Sequence, residues 1–64
     1  MEPITLERLK IIFIARVDRS GIPAIAKEFG VDQSYVWMIY HGRREISNNI
    51  AEKMGYEIVY QEKE

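Results

Sequence analysis

The chain has 64 residues, enough for one small domain, and its charged side chains nearly balance, with a formal net charge of −1. The absence of cysteine excludes disulfides and thiolate metal sites, and a single histidine argues against a zinc ion held by protein ligands. Apolar runs such as Ile11–Ala15 are far too short to span a membrane, and Met1-Glu2-Pro3 lacks the basic start of a signal peptide. A domain of this size buries only ~60% of its unfolded surface, so we expect compact helix packing or a second subunit to stabilise it.

The first predicted helix runs from Thr5 to about Asp18. Thr5 suits the N-cap, and Glu7 lies in the first turn, where the helix dipole favours a negative charge. Ile11 and Ala15 lie nearly opposite the main apolar stripe, so we expect a second side of the helix to be covered by the C-terminal segment or by another subunit. The stripe itself has helical spacing and consists of Leu6, Leu9, Phe13 and Val17.

Residues 22–42 predict two short helices joined by a tight turn, the pattern of a helix-turn-helix. The first of the two begins after a cap at Ser20 or Gly21 and carries Pro23 in its first turn, where a missing N–H costs little. It runs to about Phe29.

The turn and the second helix of the motif have their own signals. Gly30 supplies the positive φ that a tight turn requires. Asp32 is the expected N-cap of a helix that runs from Gln33 to about Tyr40, and Gly42 is expected to end it in a left-handed conformation.

The buried side of the motif is defined by small and apolar residues. Ala26 is small enough to let the second helix approach closely, and Val36 and Ile39 form an apolar stripe on that helix. The core between the two helices is expected to be closed by Ile25, Phe29 and Val31.

The C-terminal third predicts a short helix and a strand. Ser47 caps a helix over residues 48–54, and Gly55 terminates it. Residues 56–61 alternate in the way typical of a strand, and a strand needs a partner. Two partners are open: the N-terminal residues 1–4, or the same strand of another copy.

The pattern as a whole resembles the Cro and lambda-repressor-like family of phage and bacterial helix-turn-helix regulators, over about residues 5–55. The resemblance implies a mainly α fold: a lambda-repressor-like domain of four to five helices with a short C-terminal β-strand, in a single domain spanning residues 1–64. The residues that carry the resemblance are Ile25-Ala26, Phe29-Gly30-Val31, Gln33-Ser34, Val36, Ile39, Gly42-Arg43-Arg44-Glu45-Ile46-Ser47, Ile50-Ala51 and Met54-Gly55.

The resemblance also implies a set of DNA-binding residues, because in this family the second helix of the motif lies in the major groove of double-stranded DNA. Gln33 would make a bidentate contact to adenine, and Ser34 would bond to bases or phosphate. Arg43 and Arg44, just past the helix, match positions that contact phosphates. The remaining matching positions on the helix are Tyr35, Trp37 and Met38.

Some positions depart from the family pattern. Ile22 stands where the family usually has a glutamine that clamps a phosphate, and Asp32 replaces the frequent serine or threonine cap. Tyr35, Trp37 and Met38 form an apolar, aromatic surface that suits either thymine methyl groups or a protein partner. For Trp37, the alternative to a recognition contact is packing in the core or a dimer, back onto Tyr40 or the loop. DNA-binding proteins usually carry a basic surplus, whereas this chain is nearly neutral.

The first functional hypothesis is therefore a Cro-like transcriptional repressor, a homodimer on a palindromic operator in the cytoplasm of a bacterial or phage-infected cell. We expect no enzyme activity, no cofactor and no metal, because no catalytic or metal-spaced constellation is present. The alternative is a phage-type module or inhibitor that docks the Tyr35, Trp37 and Met38 surface on a host protein. A third, weaker hypothesis is a domain that only oligomerises. The predicted dimer contacts are Ile11, Tyr56, Ile58, Val59 and Tyr60.

Overall fold

The computed structural model describes residues 1–59, which form four helices between two short strands. The fold is mainly helical, as predicted. Predicted strand residues 60 and 61, Tyr60 among them, lie outside the described residues. The elements in chain order are β1 (Glu2–Thr5), α1 (Leu6–Ser20), α2 (Ile22–Phe29), α3 (Gln33–Tyr40), α4 (Asn48–Lys53) and β2 (Tyr56–Val59).

The two strands pair with each other in parallel, with Ile4 opposite Ile58. The Glu2 amide donates to the Gly55 carbonyl at 3.2 Å, at the start of the ladder. Of the two strand partners that the sequence left open, the N-terminal segment of the same chain is thus the one observed. Parallel neighbours need a long crossover connection, and here all four helices supply it.

One hydrophobic core lies between the helices and the sheet. Its centre is Phe13 on α1, which is fully buried and stacks on Phe29 of α2 with ring centroids 6.2 Å apart. Leu6, expected in the core stripe, lies at its margin and is only half-buried. The buried residues are Ile4, Leu9, Phe13, Val17, Ile25, Ala26, Phe29, Val36, Ile39, Ile46, Ile50 and Ala51.

Two predicted N-caps are confirmed. The Thr5 hydroxyl accepts from the amide of Arg8 at 3.3 Å, and the Ser47 hydroxyl accepts from the amide of Ile50 at 3.3 Å. Both bonds satisfy an amide that the first helical turn leaves without a partner. The helix after Ser47 ends at Lys53, one residue earlier than predicted.

The junction between α1 and α2 differs from the prediction. α1 continues past Asp18 to Ser20, where the Gly21 amide donates to the Val17 carbonyl at 2.7 Å and closes the helix. Ser20 therefore belongs to α1 and does not cap α2. Gly21, with φ of 92°, takes the N-cap position of α2, and Pro23 lies in the first turn as predicted.

Candidate nucleic-acid interface

The turn between α2 and α3 has the conformation that the sequence predicts. Gly30 is left-handed, with φ of 68° and ψ of 38°. The amide of Val31 donates to the Ala26 carbonyl at 3.0 Å, and the ammonium of Lys53 donates to the Phe29 carbonyl at 2.7 Å. The end of α2 is thus closed by its own turn and by a cation from α4, which suits the negative end of the helix dipole.

The buried side of α3 determines which side faces solvent. Val36 is 0% exposed and Ile39 is 3% exposed, so this stripe packs against the core. On the helical wheel, the side opposite this stripe is centred on Ser34 and His41, with Trp37 beside them. All three are exposed, Trp37 to 44%. Of the predicted recognition residues on α3, Gln33, Ser34 and Trp37 are exposed, whereas Met38 is half-buried and Tyr35 is half-buried against the core.

The two residues that differ from the family pattern at the starts of α2 and α3, Ile22 and Asp32, have different surroundings. Ile22 is half-buried and packs against the core, which a glutamine reaching for a phosphate would not do. Asp32 takes the N-cap position of α3, as predicted, but its side chain makes no capping hydrogen bond. Its carboxylate is exposed beside Gln33 at the N-terminal end of the helix.

The C-terminal end of α3 places the two arginines. Gly42 is left-handed with φ of 75°, as predicted, and its amide donates to the Ile39 carbonyl at 3.1 Å. The Arg43 amide donates to the Met38 carbonyl at 2.7 Å. These two bonds form a Schellman motif, which ends the helix and turns the chain away from its axis. Arg43 and Arg44 consequently follow the helix directly and are both exposed.

Each of the two arginines lies over an aromatic ring of α3. The guanidinium carbon of Arg44 is 5.3 Å from the centroid of the Tyr35 ring, and that of Arg43 is 5.9 Å from the Trp37 ring. Trp37 also packs on His41, one turn later, with centroids 4.2 Å apart. Trp37 therefore does not enter the core or pack on Tyr40, but it does pack against Arg43 of the following loop, one of the contacts expected under the alternative for Trp37. A contact of Trp37 with the loop was among the expected alternatives, whereas the pairing of Arg44 with Tyr35 was not predicted.

A tyrosine ties α3 to α1. The hydroxyl of Tyr40 donates to a carboxylate oxygen of Asp18 at 2.5 Å. This hydrogen bond and the negative charge of Asp18 raise the pKa of Tyr40, because both favour the neutral phenol over the phenolate. The bond also occupies one carboxylate close to α3.

Within residues 1–59, no carboxylate forms an ion pair with either arginine of the candidate interface. In this part of the chain, neither Arg43 nor Arg44 has an acidic side chain within 4.0 Å. The two pairs that form are Lys10 with Glu45 at 3.6 Å and Arg16 with Glu28 at 2.6 Å. No carboxylate of residues 1–59 thus competes with an anion for either head group.

The predicted dimer residues are spread over two surfaces. Ile11 is 65% exposed on α1, and Val59 is 39% exposed at the end of β2. Tyr56 and Ile58 are half-buried against the core of their own chain. Tyr60 lies outside the described residues.

Comparison of the chain with protein-family models, with curated proteins and with solved structures finds no significant match. Among the described residues, no group of three or more histidine and acidic side chains is arranged to hold a metal ion. Within the same residues, no helix has the length and apolarity needed to cross a membrane.

Proposed function

We propose that this chain is a sequence-specific regulator that binds double-stranded DNA, with a lambda-repressor-like fold and α3 in the major groove. The single observation that carries the proposal is the composition of one surface. It begins with two exposed hydrogen-bonding side chains at the start of α3 and ends with two exposed arginines just past it. The first pair suits base edges and the second suits phosphates.

The arrangement gives each residue a distinct role. Gln33 offers an acceptor and a donor on one amide, the combination that reads adenine in the major groove. Ser34 lies one residue later, on the side opposite the core, and reaches bases or phosphate. Arg43 and Arg44, held over Trp37 and Tyr35, present guanidinium edges to the DNA backbone. Hydrogen bonds to bases thus come from the start of α3, and phosphate contacts come from the residues just past its end.

The near-neutral charge of the chain limits the electrostatic part of binding. Each phosphate contact contributes a slope of about −0.9 to the dependence of log K on log salt concentration. Two arginines per protomer therefore predict a shallower salt dependence than that of a strongly basic protein. A larger share of the affinity must then come from base contacts and from dimerisation.

Dimerisation is proposed through the outer edge of β2. Because the Glu2 amide donates inward to Gly55, the alternating backbone turns Pro3 outward, and proline has no N–H to offer there. The outer edge of β1 is therefore blocked. On β2, the same alternation turns the backbone groups of Tyr56 and Ile58 outward, and no hydrogen bond to either amide forms on that side within residues 1–59. Two copies joined at this edge would form one continuous sheet.

Such a dimer would be a repressor acting in the cytoplasm of a bacterial or phage-infected cell. It would bind a palindromic operator whose half-sites lie about one helical turn, ~34 Å, apart.

The test is a titration of the protein with random-sequence duplex at low ionic strength. Binding is monitored by the fluorescence of Trp37, the only tryptophan in the chain. Because Trp37 lies on the proposed interface, bound duplex should change its emission, and added salt should reverse the change. If no duplex changes the emission or co-sediments with the protein, the proposal is wrong.

A second candidate function is favoured by the exposure of Trp37 on a nearly neutral chain. Tryptophan, tyrosine and arginine are enriched among the residues that dominate protein–protein binding energy. In this alternative, Tyr35, Trp37 and Met38 dock on a host protein. Recovery of a stoichiometric partner that Trp37→Ala abolishes, together with no binding to any duplex, would favour the alternative.

A further inference from the structure

We propose that the base pairs read by α3 are mainly A·T pairs, and that the C5-methyl groups of thymine are recognised by Trp37 and Met38. This inference rests on the proposed function and specifies its ligand. It follows from which chemical groups α3 presents outward and from which groups are missing there.

α3 lacks the side chains that usually read guanine and cytosine. Guanine is most often read by the two acceptors it offers to arginine or lysine, and cytosine by its amino group, which a carboxylate accepts. α3, from Gln33 to Tyr40, contains no arginine or lysine and no aspartate or glutamate. Asp32, at the N-cap, makes no capping hydrogen bond, and its exposed carboxylate is the one group at the start of α3 that can accept from cytosine, at a single base pair. The helix therefore lacks the side chains that read a G·C pair by charge-assisted hydrogen bonds.

The two arginines lie beyond the end of α3, outside the recognition helix. The Schellman motif at Gly42 turns the chain away from the axis of α3 before Arg43 and Arg44. Both guanidinium groups lie over aromatic rings, at 5.9 Å and 5.3 Å from the ring centroids. Because base edges are read by residues of the recognition helix itself and both arginines follow its end, these positions suit phosphates rather than guanine.

α3 does carry side chains that suit adenine and thymine. Gln33 reads adenine, and its partner base in the pair is thymine. Trp37 is 44% exposed, and Met38 lies next to it with its side chain half-exposed. Trp37 and Met38 lie on either side of the outward face of α3, and the apolar group that such side chains meet in the major groove is the thymine methyl. His41 packs on Trp37 at the far end of the helix and keeps its ring in place.

The experiment compares thymine with deoxyuridine, which differs only by the missing methyl group. A duplex recovered by selection is labelled with a fluorophore, and binding is followed by anisotropy. Each thymine of a half-site is replaced in turn by deoxyuridine, with replacements outside the half-sites as the control. We expect about a fourfold loss of affinity at one or two positions, the effect of removing one buried methyl group. In Trp37→Ala or Met38→Ala the same replacement should have no effect, because the contact is already absent.

The outcomes separate the inference from the function on which it rests. If no duplex is bound at all, the proposed function fails, and the inference fails with it. If a duplex is bound but its half-sites are G·C-rich, or deoxyuridine leaves the affinity unchanged everywhere, the inference is overturned while DNA binding stands. A loss that is equally large in both alanine variants would assign the methyl contact to other residues and overturn it too. Urea unfolding of both variants verifies that they are folded.

Discussion

The ammonium of Lys53, on the last helix, donates a hydrogen bond of 2.7 Å to the carbonyl of Phe29, the last residue of α2. This contact places a positive charge at the negative end of the α2 dipole. It also joins the C-terminal part of the chain to the turn that positions α3. The geometry of the candidate interface therefore depends on a residue that does not belong to it.

The first prediction is that Lys53→Met destabilises the fold. Losing a hydrogen bond from a charged donor and a favourable charge at the helix end should lower the free energy of unfolding by ~1–2 kcal/mol in urea titrations. The matched control is Lys27→Met, since Lys27 lies in the last turn of the same helix and is exposed. Equal losses in the two variants would mean that the hydrogen bond to Phe29 contributes nothing beyond the charge.

The second prediction concerns the left-handed turn at Gly30. A side chain at Gly30 would have room, because the atom nearest to an added Cβ is the Lys53 ammonium nitrogen at 3.9 Å. Any loss of stability must therefore come from the backbone φ of 68°. We expect Gly30→Val to lower the free energy of unfolding by at least ~1–2 kcal/mol. Gly30→Asn should cost clearly less, because asparagine tolerates this conformation. If valine and asparagine prove equivalent, backbone conformation does not explain the glycine.

The third prediction concerns pH. The pKa of Tyr40 is raised above its ordinary value of 10.0 by the hydrogen bond to Asp18 and by the charge of that carboxylate. Since the folded chain holds this proton more tightly than the unfolded chain, the contribution to stability is fully present below pH 10. It is lost as the pH rises through the raised pKa.

Asp18→Asn should therefore bring the titration of Tyr40 back toward its ordinary range. The phenolate absorbance measures this, and Tyr40→Phe identifies which of the four tyrosines is responsible. An unchanged titration curve in Asp18→Asn would show that the carboxylate does not control this hydroxyl.

The fourth prediction separates phosphate contacts from base contacts. Arg43→Ala and Arg44→Ala should weaken binding to every duplex and each reduce the salt slope by about 0.9 per protomer, or about 1.8 for the dimer. Gln33→Ala should instead relax the preference at one base pair, at a cost of ~1–3 kcal/mol against the selected sequence. Arg19→Ala is the control, since Arg19 is an exposed arginine on α1 that is not part of the proposed interface. A loss of the same size in Arg19→Ala would mean that only total charge matters.

The fifth prediction concerns the edge of β2. A synthetic chain with an N-methyl group on the Ile58 amide should dimerise less, because this amide faces outward from the sheet. The matched control is an N-methyl group on Glu57, whose amide faces β1, so it should disturb folding instead. Sedimentation and circular dichroism distinguish the two effects. If Ile11→Arg alone abolishes the dimer, α1 is the interface and the strand edge is not.

The sequence predicts α3 well because its limits are set locally. Asp32 and Gly42 flank it, and the observed helix from Gln33 to Tyr40 has the predicted bounds. The end of α1 is less well predicted, because Ser20 and Gly21 both suit a cap and only the bond from Gly21 to Val17 decides between them.

Contacts between distant parts of the chain could not be predicted. The alternation after Gly55 indicates a strand but not which edge it joins, since pairing depends on where the helices bring residues 2–5. Likewise, nothing local links Lys53 to Phe29, 24 residues away. The pairing of each arginine with an aromatic ring depends on the helix end at Gly42. The backbone turns away from the axis of α3 there, and the guanidinium groups of Arg43 and Arg44 lie over rings of α3.

The measurement that tests DNA recognition most directly is selection of bound duplexes from a random-sequence pool. We expect enrichment of a palindrome with half-sites ~34 Å apart, which the natural chain binds and which Arg43→Ala and Arg44→Ala bind more weakly. Recovery of no enriched sequence, from protein shown to be folded and at low ionic strength, would contradict it.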